Sequence, residues 1–168
     1  PTCNLATTPQ PSNTLTPPTT GLTLVLIAQG HGTQNYTCTN ATAVPAAIGA
    51  VASLFNASCS VASGASLSSI SESASAIGAH FFVDSTTPEF DIIGLGDTQA
   101  KKVESMVAPV ANAVPWLKLE ATVSATTGPV REIYRLNTEG GVAPATCEGV
   151  VAGGTVKVEY SAQYWIYA

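Results

Sequence analysis

Charge is scarce in this chain. Among 168 residues there are 6 Lys or Arg and 11 Asp or Glu, 10% in all, where roughly 25% is usual for a soluble domain. None of them precedes Glu72. The net charge of −5 and the lack of any basic run exclude a nucleic-acid partner, whose phosphates demand a positive face. The same balance excludes adhesion to an anionic membrane surface. No apolar run reaches the ~18 residues of a membrane helix, so membrane insertion is not expected, and no internal repeat is visible.

Other absences narrow the chemistry. The four cysteines, Cys3, Cys38, Cys59 and Cys147, form no C-x-x-C, which removes a thioredoxin-type motif and a zinc knuckle. There is no G-x-S-x-G and no H-E-x-x-H, so neither an esterase elbow nor a zincin helix is encoded. Pro1 excludes a copper site built on an N-terminal histidine. No metal and no cofactor is expected. The segment from Phe90 to Ala100, with Gly94 and Gly96, reads as a strand running into a dinucleotide loop but fails as one. Gln99 stands where the third glycine belongs, Asp97 would repel phosphate, and no βαβ pattern surrounds it. A plain turn is expected, and no nucleotide.

What is present points outside the cell. An even cysteine count without metal spacing, in a chain starting at Pro1, reads as an exported, disulfide-bonded protein. Asn35-Tyr-Thr, Asn40-Ala-Thr and Asn56-Ala-Ser are three N-glycosylation sequons close together. Attached sugars would hydrate a surface so poor in charge. Three cysteine pairings are possible; Cys38–Cys59, closing a local loop, with Cys3–Cys147 stapling the arm to the body, is the expected one.

Residues 1–20 are rich in Pro and Thr and read as an extended arm packed on the body; residues 21–168 read as a single β-rich domain. Leu22 to Ala28 is an apolar strand run, followed by a glycine turn, Gln29 to Gly32. From Thr33 to Thr39 the pattern alternates, placing Tyr36 and Cys38 inward and Asn35 outward. The spacing of Val44, Ile48, Val51 and Phe55 predicts a helix over 44–55, and Gln99 to Met106 a short helical turn. Residues 60–77 suit a weak helix or a surface loop equally. Strands are expected over 79–84 and 90–93. They are also expected over 116–124, with Leu117 and Leu119 on one face and Lys118 and Glu120 on the other, over 129–136 and over 155–167. The fold class is mainly β: an antiparallel sandwich or barrel with one or two short helices.

Few residues offer themselves as a site. His31 sits in a glycine-rich stretch and is expected at the surface. His80 lies beside Phe81 and Phe82; it reads as a hydrogen-bonded buried histidine, or as an acid–base residue paired with Asp84 or Asp91. Asp84, Glu89, Asp91 and Asp97 form an acidic cluster. It reads as a solvated loop, or as the carboxylate pair of a carbohydrate-active hydrolase. Trp165 and Tyr167 alternate with Tyr160 and Tyr164. Such a strand is covered on both faces, or else it offers Trp165, Tyr167 and Trp116 as flat rings on which sugars stack.

The segments GTQNYTC (32–38), SLFNASC (53–59), GAHFF (78–82), VPWLKLEA (114–121), VREIYRLNTEGGVAPATC (130–147) and VEYSAQYWIYA (158–168) resemble a family of secreted fungal and bacterial proteins of unknown function. Its fungal members are often labelled "malate dehydrogenase-like". The resemblance implies export, cell-surface association and a part in contacts with the cell wall or a host. It implies no reaction and carries over no catalytic residue. A malate dehydrogenase needs a dinucleotide fold, which this chain is too short and too β-rich to build. The sequence thus favours a secreted, N-glycosylated, cell-wall-associated protein with a non-enzymatic binding or structural role. Its partner would be a wall polysaccharide or a host protein, the latter making it a host-directed virulence protein.

Overall fold

The computed structural model describes residues 2–168; the readings of Pro1 lie outside the described residues. Eight strands follow one another: β1 (Leu24–Thr37), β2 (Ala46–Asn56), β3 (Gly78–Asp84), β4 (Thr87–Ile92), β5 (Gly96–Met106), β6 (Trp116–Thr126), β7 (Glu132–Gly140) and β8 (Thr155–Tyr167). Each pairs antiparallel with the next, and β8 pairs with β1 to close a barrel. Closure leaves no sheet edge to protect. One short helix, α1 (Ser58–Ala62), and a 3₁₀ turn over Leu67–Ser69 lie between β2 and β3.

The barrel interior is filled by alternate residues, as the pleat requires. β8 contributes Tyr160, Ala162, Tyr164 and Ile166, and β6 contributes Leu119, all in one buried cluster with Leu54, Phe90 and Ile133. Here the alternation in the sequence translates directly into structure.

Three local expectations are corrected. The run Gln29 to Gly32 is not a turn but the middle of β1, in register with β2 and β8 on its two sides. Its glycines allow close approach rather than a bend: a Cβ on Gly30 would lie 2.7 Å from the Tyr164 ring, and one on Gly32 would strike the β2 backbone at Val51. Residues 44–55 are not a helix. The would-be helical face is exposed at Val44 (78%) and Val51 (55%), while Ala50, Ala52 and Leu54 point inward. Small residues here leave space for the large rings across the lumen, so tertiary packing overrides alanine's helix preference. Gly49, at φ +129°, lies where a Cβ would strike Phe82. Gln99 to Met106 belongs to β5, whose alternation is broken by register shifts at Thr98/Ala100 and Lys102/Glu104.

The disulfides are Cys3–Cys59 and Cys38–Cys147, with Cα atoms 5.2 and 5.8 Å apart. This corrects the expected pairing. Cys38 follows β1 at one end of the barrel and Cys59 follows β2 at the other. Eleven extended residues hold them about 30 Å apart, beyond the reach of a bridge. Cys38 instead meets the loop before β8, because Thr37 pairs with Thr155. Backbone bonds from Cys38 N to Gly154 O and from Gly153 N to Cys38 O fix that contact. The mistaken helix and the mistaken bridge share one cause.

Residues 9–19 run along the outer face of the barrel. Pro9, Pro11, Pro17 and Pro18 lack the N–H of a ladder strand, so side chains make the attachment. Leu15 packs in a second apolar cluster with Trp116, Tyr134, Leu136, Trp165 and Tyr167. Gln10 donates to the Tyr167 hydroxyl at 2.9 Å, and the Tyr134 hydroxyl donates to Thr16 O at 2.8 Å.

Candidate functional site

A cavity of about 290 Å³ opens into the barrel at the end that carries the β3–β4 turn. Its wall includes His80, Phe82, Leu117, Leu119, Arg135 and Tyr164, with Thr86 and Lys102 also on it. Ligand sites commonly occupy the mouths of β-barrels, with volumes of roughly 300–1,000 Å³; this one is at the small end of that range.

His80 projects inward from β3, in register with Phe90 of β4. Its ring stacks on Phe90 at 4.1 Å and meets Tyr164 at 5.2 Å. Nδ1 lies 2.9 Å from the Glu89 carbonyl oxygen. A carbonyl only accepts, so that nitrogen carries the proton and Nε2 keeps the free lone pair. Burial, opposed by the Glu89 carbonyl and aided by the Arg135 charge, brings the His80 pKa down to about 4. The ring is neutral at neutral pH.

Arg135 is the buried cation of the wall, with Lys102 exposed at its edge. It projects inward from β7, is 9% exposed, and donates from Nε and Nη2 to Pro115 O at 3.1 and 2.8 Å. Among the described residues no carboxylate lies within ion-pair distance of it. Tyr160 and Tyr164 share a 2.8 Å hydroxyl contact in the same interior. Burial raises the pKa of both, so both remain phenols.

The acids do not join this site. Phe90 and Ile92 point inward, so Glu89 and Asp91 alternate to the outside of β4. Asp91 pairs across the strand with Asp97, and Glu89 accepts from Gln99 Nε2. Asp84 closes the β3–β4 turn, accepting from Thr86 N, Thr86 Oγ1 and Thr87 Oγ1. Those bonds hold its carboxyl below the usual carboxylate range. Glu89 and Asp91 therefore face away from His80, and Asp84 is held in the turn at the rim. Trp116, Trp165 and Tyr167 are buried at 4%, 1% and 7% exposure, beneath the arm and its neighbours, rather than displayed as flat rings. His31 is half exposed and 2.7 Å from Glu72. The glycine segment after Phe90 is the tight β4–β5 turn, closed by Leu95 N to Ile92 O.

Asn40 and Asn56 are exposed, and Asn35 is half-buried. The side-chain oxygens of Asn40 and Asn56 accept the N–H of Thr42 and of Ser58. Among the described residues no hydrogen bond engages their Nδ2, the atom a glycan would take.

Arg135 was not singled out by sequence reasoning. The signal was present: in β7 it shares the inward parity of Ile133, and a cation at that parity is out of place in a structural core.

Fold and cavity together define an up-and-down antiparallel β-barrel with a small, mixed-polarity site in its lumen. The family described as "Protein of unknown function (DUF3455)" matches residues 18–168, and the chain belongs to it. No curated protein and no solved structure matches the chain. The two disulfides are compatible with a secreted protein, and among the described residues no helix is long and apolar enough to cross a membrane.

Proposed function

We propose that this chain is a secreted, N-glycosylated, non-enzymatic binding protein that holds a small molecule in the barrel lumen. The observation that carries the reading is the cavity itself: apolar walls from Phe82, Leu117 and Leu119 interrupted by His80 and Arg135. A purely structural barrel gains nothing from an opening there and would fill it with side chains. The sequons and bridges support an oxidising, extracellular setting, and a cell-wall or host-facing location suits both.

The test is a small-molecule thermal-shift screen on the full chain beside an Ala47→Trp variant. Ala47 is exposed and lies on the cavity wall, so the indole plugs the opening without entering the core. Compounds that raise the melting temperature of the wild type and not of the variant support the reading. Equal shifts in both proteins, or no shift at millimolar concentration, overturn it.

A further inference from the structure

We propose that the lumen takes a compact apolar monocarboxylate, an aromatic or short aliphatic acid, whose carboxylate sits on Arg135 and whose body lies against Phe82, Leu117 and Leu119. This rests on the reading of the lumen as a ligand site and names the ligand's chemistry.

The first support is a donor left over. A guanidinium carries five N–H groups. In Arg135, Nε and Nη2 both turn to one oxygen, that of Pro115. This fixes one edge of the plane; the Tyr164 hydroxyl also interacts with the guanidinium, and an acceptor on the Nη1/Nη2 edge would lie beside that hydroxyl. A carboxylate fits such an edge with two parallel hydrogen bonds.

The second support is the missing counter-ion. A buried cation without a partner charge is costly. This chain supplies a partner where a buried cation is structural: Lys118, one residue along β6 on the opposite face, has Glu132 at 3.6 Å. Among the described residues no carboxylate inside the barrel plays that part for Arg135. Asp84, at the rim, has its oxygens occupied by Thr86 and Thr87. Lys102 lines the same cavity from an exposed position and adds a positive field at the entrance.

The third support is size. At ~30 Å³ per water, the cavity holds roughly ten waters' worth of ligand. That admits one or two rings or a short chain with a planar head. A single guanidinium also suits a singly charged head better than a phosphate dianion, which calls for more donors.

The experiment is a calorimetric titration of the full chain with benzoate, 2-naphthoate and octanoate, each beside its neutral primary amide. At least one acid should bind about tenfold or more tightly than its amide, the difference made by a charge-assisted hydrogen bond. In Arg135→Gln that preference should fall below about twofold, with the amide's affinity unchanged. The acid–amide ratio in the wild type needs no variant, so the proposal stays testable if Arg135→Gln does not fold. If acid and amide bind alike and Ala47→Trp blocks both, the lumen reading stands and the carboxylate assignment falls. If no acid and no amide binds at millimolar concentration, both fall.

Discussion

Leu117 pairs with Arg135 across the β6–β7 ladder, and Lys118 pairs with Tyr134 one step along. The pleat therefore sends one buried cation into the lumen and its neighbour to the outer face. Outside, the Lys118 ammonium meets Glu132, the Pro17 carbonyl and the Tyr134 ring. Glu132 in turn accepts from the N–H and hydroxyl of Thr19. Inside, Arg135 has the Pro115 carbonyl, the Tyr164 hydroxyl and open space, and no carboxylate among the described residues. Both cations are buried, and their environments differ in completeness. A finished network belongs to the architecture, and an unfinished one in a cavity marks a place where something else completes it.

Removing one member from each network sharpens that contrast. Glu132→Ala leaves Lys118 buried without a counter-charge and cuts the bonds to Thr19. It should cost about 3–5 kcal/mol in equilibrium urea unfolding, with faster amide exchange along residues 9–19. A loss below about 1 kcal/mol would mean that the outer pair is not structural.

The second effect is acid sensitivity of the lumen. His80 has a pKa of about 4 in the folded chain and about 6.5 when unfolded. Between these values the unfolded chain binds the extra proton, so stability is full above pH 6.5 and declines as the pH drops toward 4. The loss should reach about 3 kcal/mol. His80→Phe should flatten that part of the profile measured by urea unfolding between pH 4 and 7. An unchanged slope in the variant would assign the acid sensitivity elsewhere.

The smallest effect is expected from Arg135→Met. Exchanging a buried, unpaired cation for an apolar side chain of similar length should change stability by less than about 1 kcal/mol, or raise it. A loss as large as that of Glu132→Ala would show that the lumen cation is as structural as the outer one, and the contrast would collapse.

The barrel was legible wherever alternation ran unbroken. Leu117, Leu119, Tyr160, Tyr164 and Ile166 take the inward places that a period of two assigns them. It was illegible where inward positions are small or the ladder slips. Ala50 and Ala52 carry no strand signal of their own, and their orientation depends on rings from β3 and β8, far away in sequence. In β5 the register shifts destroy the period. Pairing of the cysteines depends on which barrel end each one reaches, so one misjudged strand was enough to cross them. His80 was legible as a buried, hydrogen-bonded histidine from its aromatic neighbours. Its separation from the acids follows from a one-residue alternation that a cluster in sequence conceals. Arg135 needed the parity of β7, together with the knowledge that no carboxylate shares that parity nearby.

The bridge from Cys3 to Cys59 has a topological result. The arm is anchored by sulfur at its start and by β1 at its finish, so the polypeptide from 3 to 59 forms a covalent ring. The arm can lift away only as a bight, never as a loose end, and it returns to its groove at high effective concentration. A protease that cuts once between Pro9 and Thr19 would open the ring without shedding a fragment, and the severed halves would part only under a reductant.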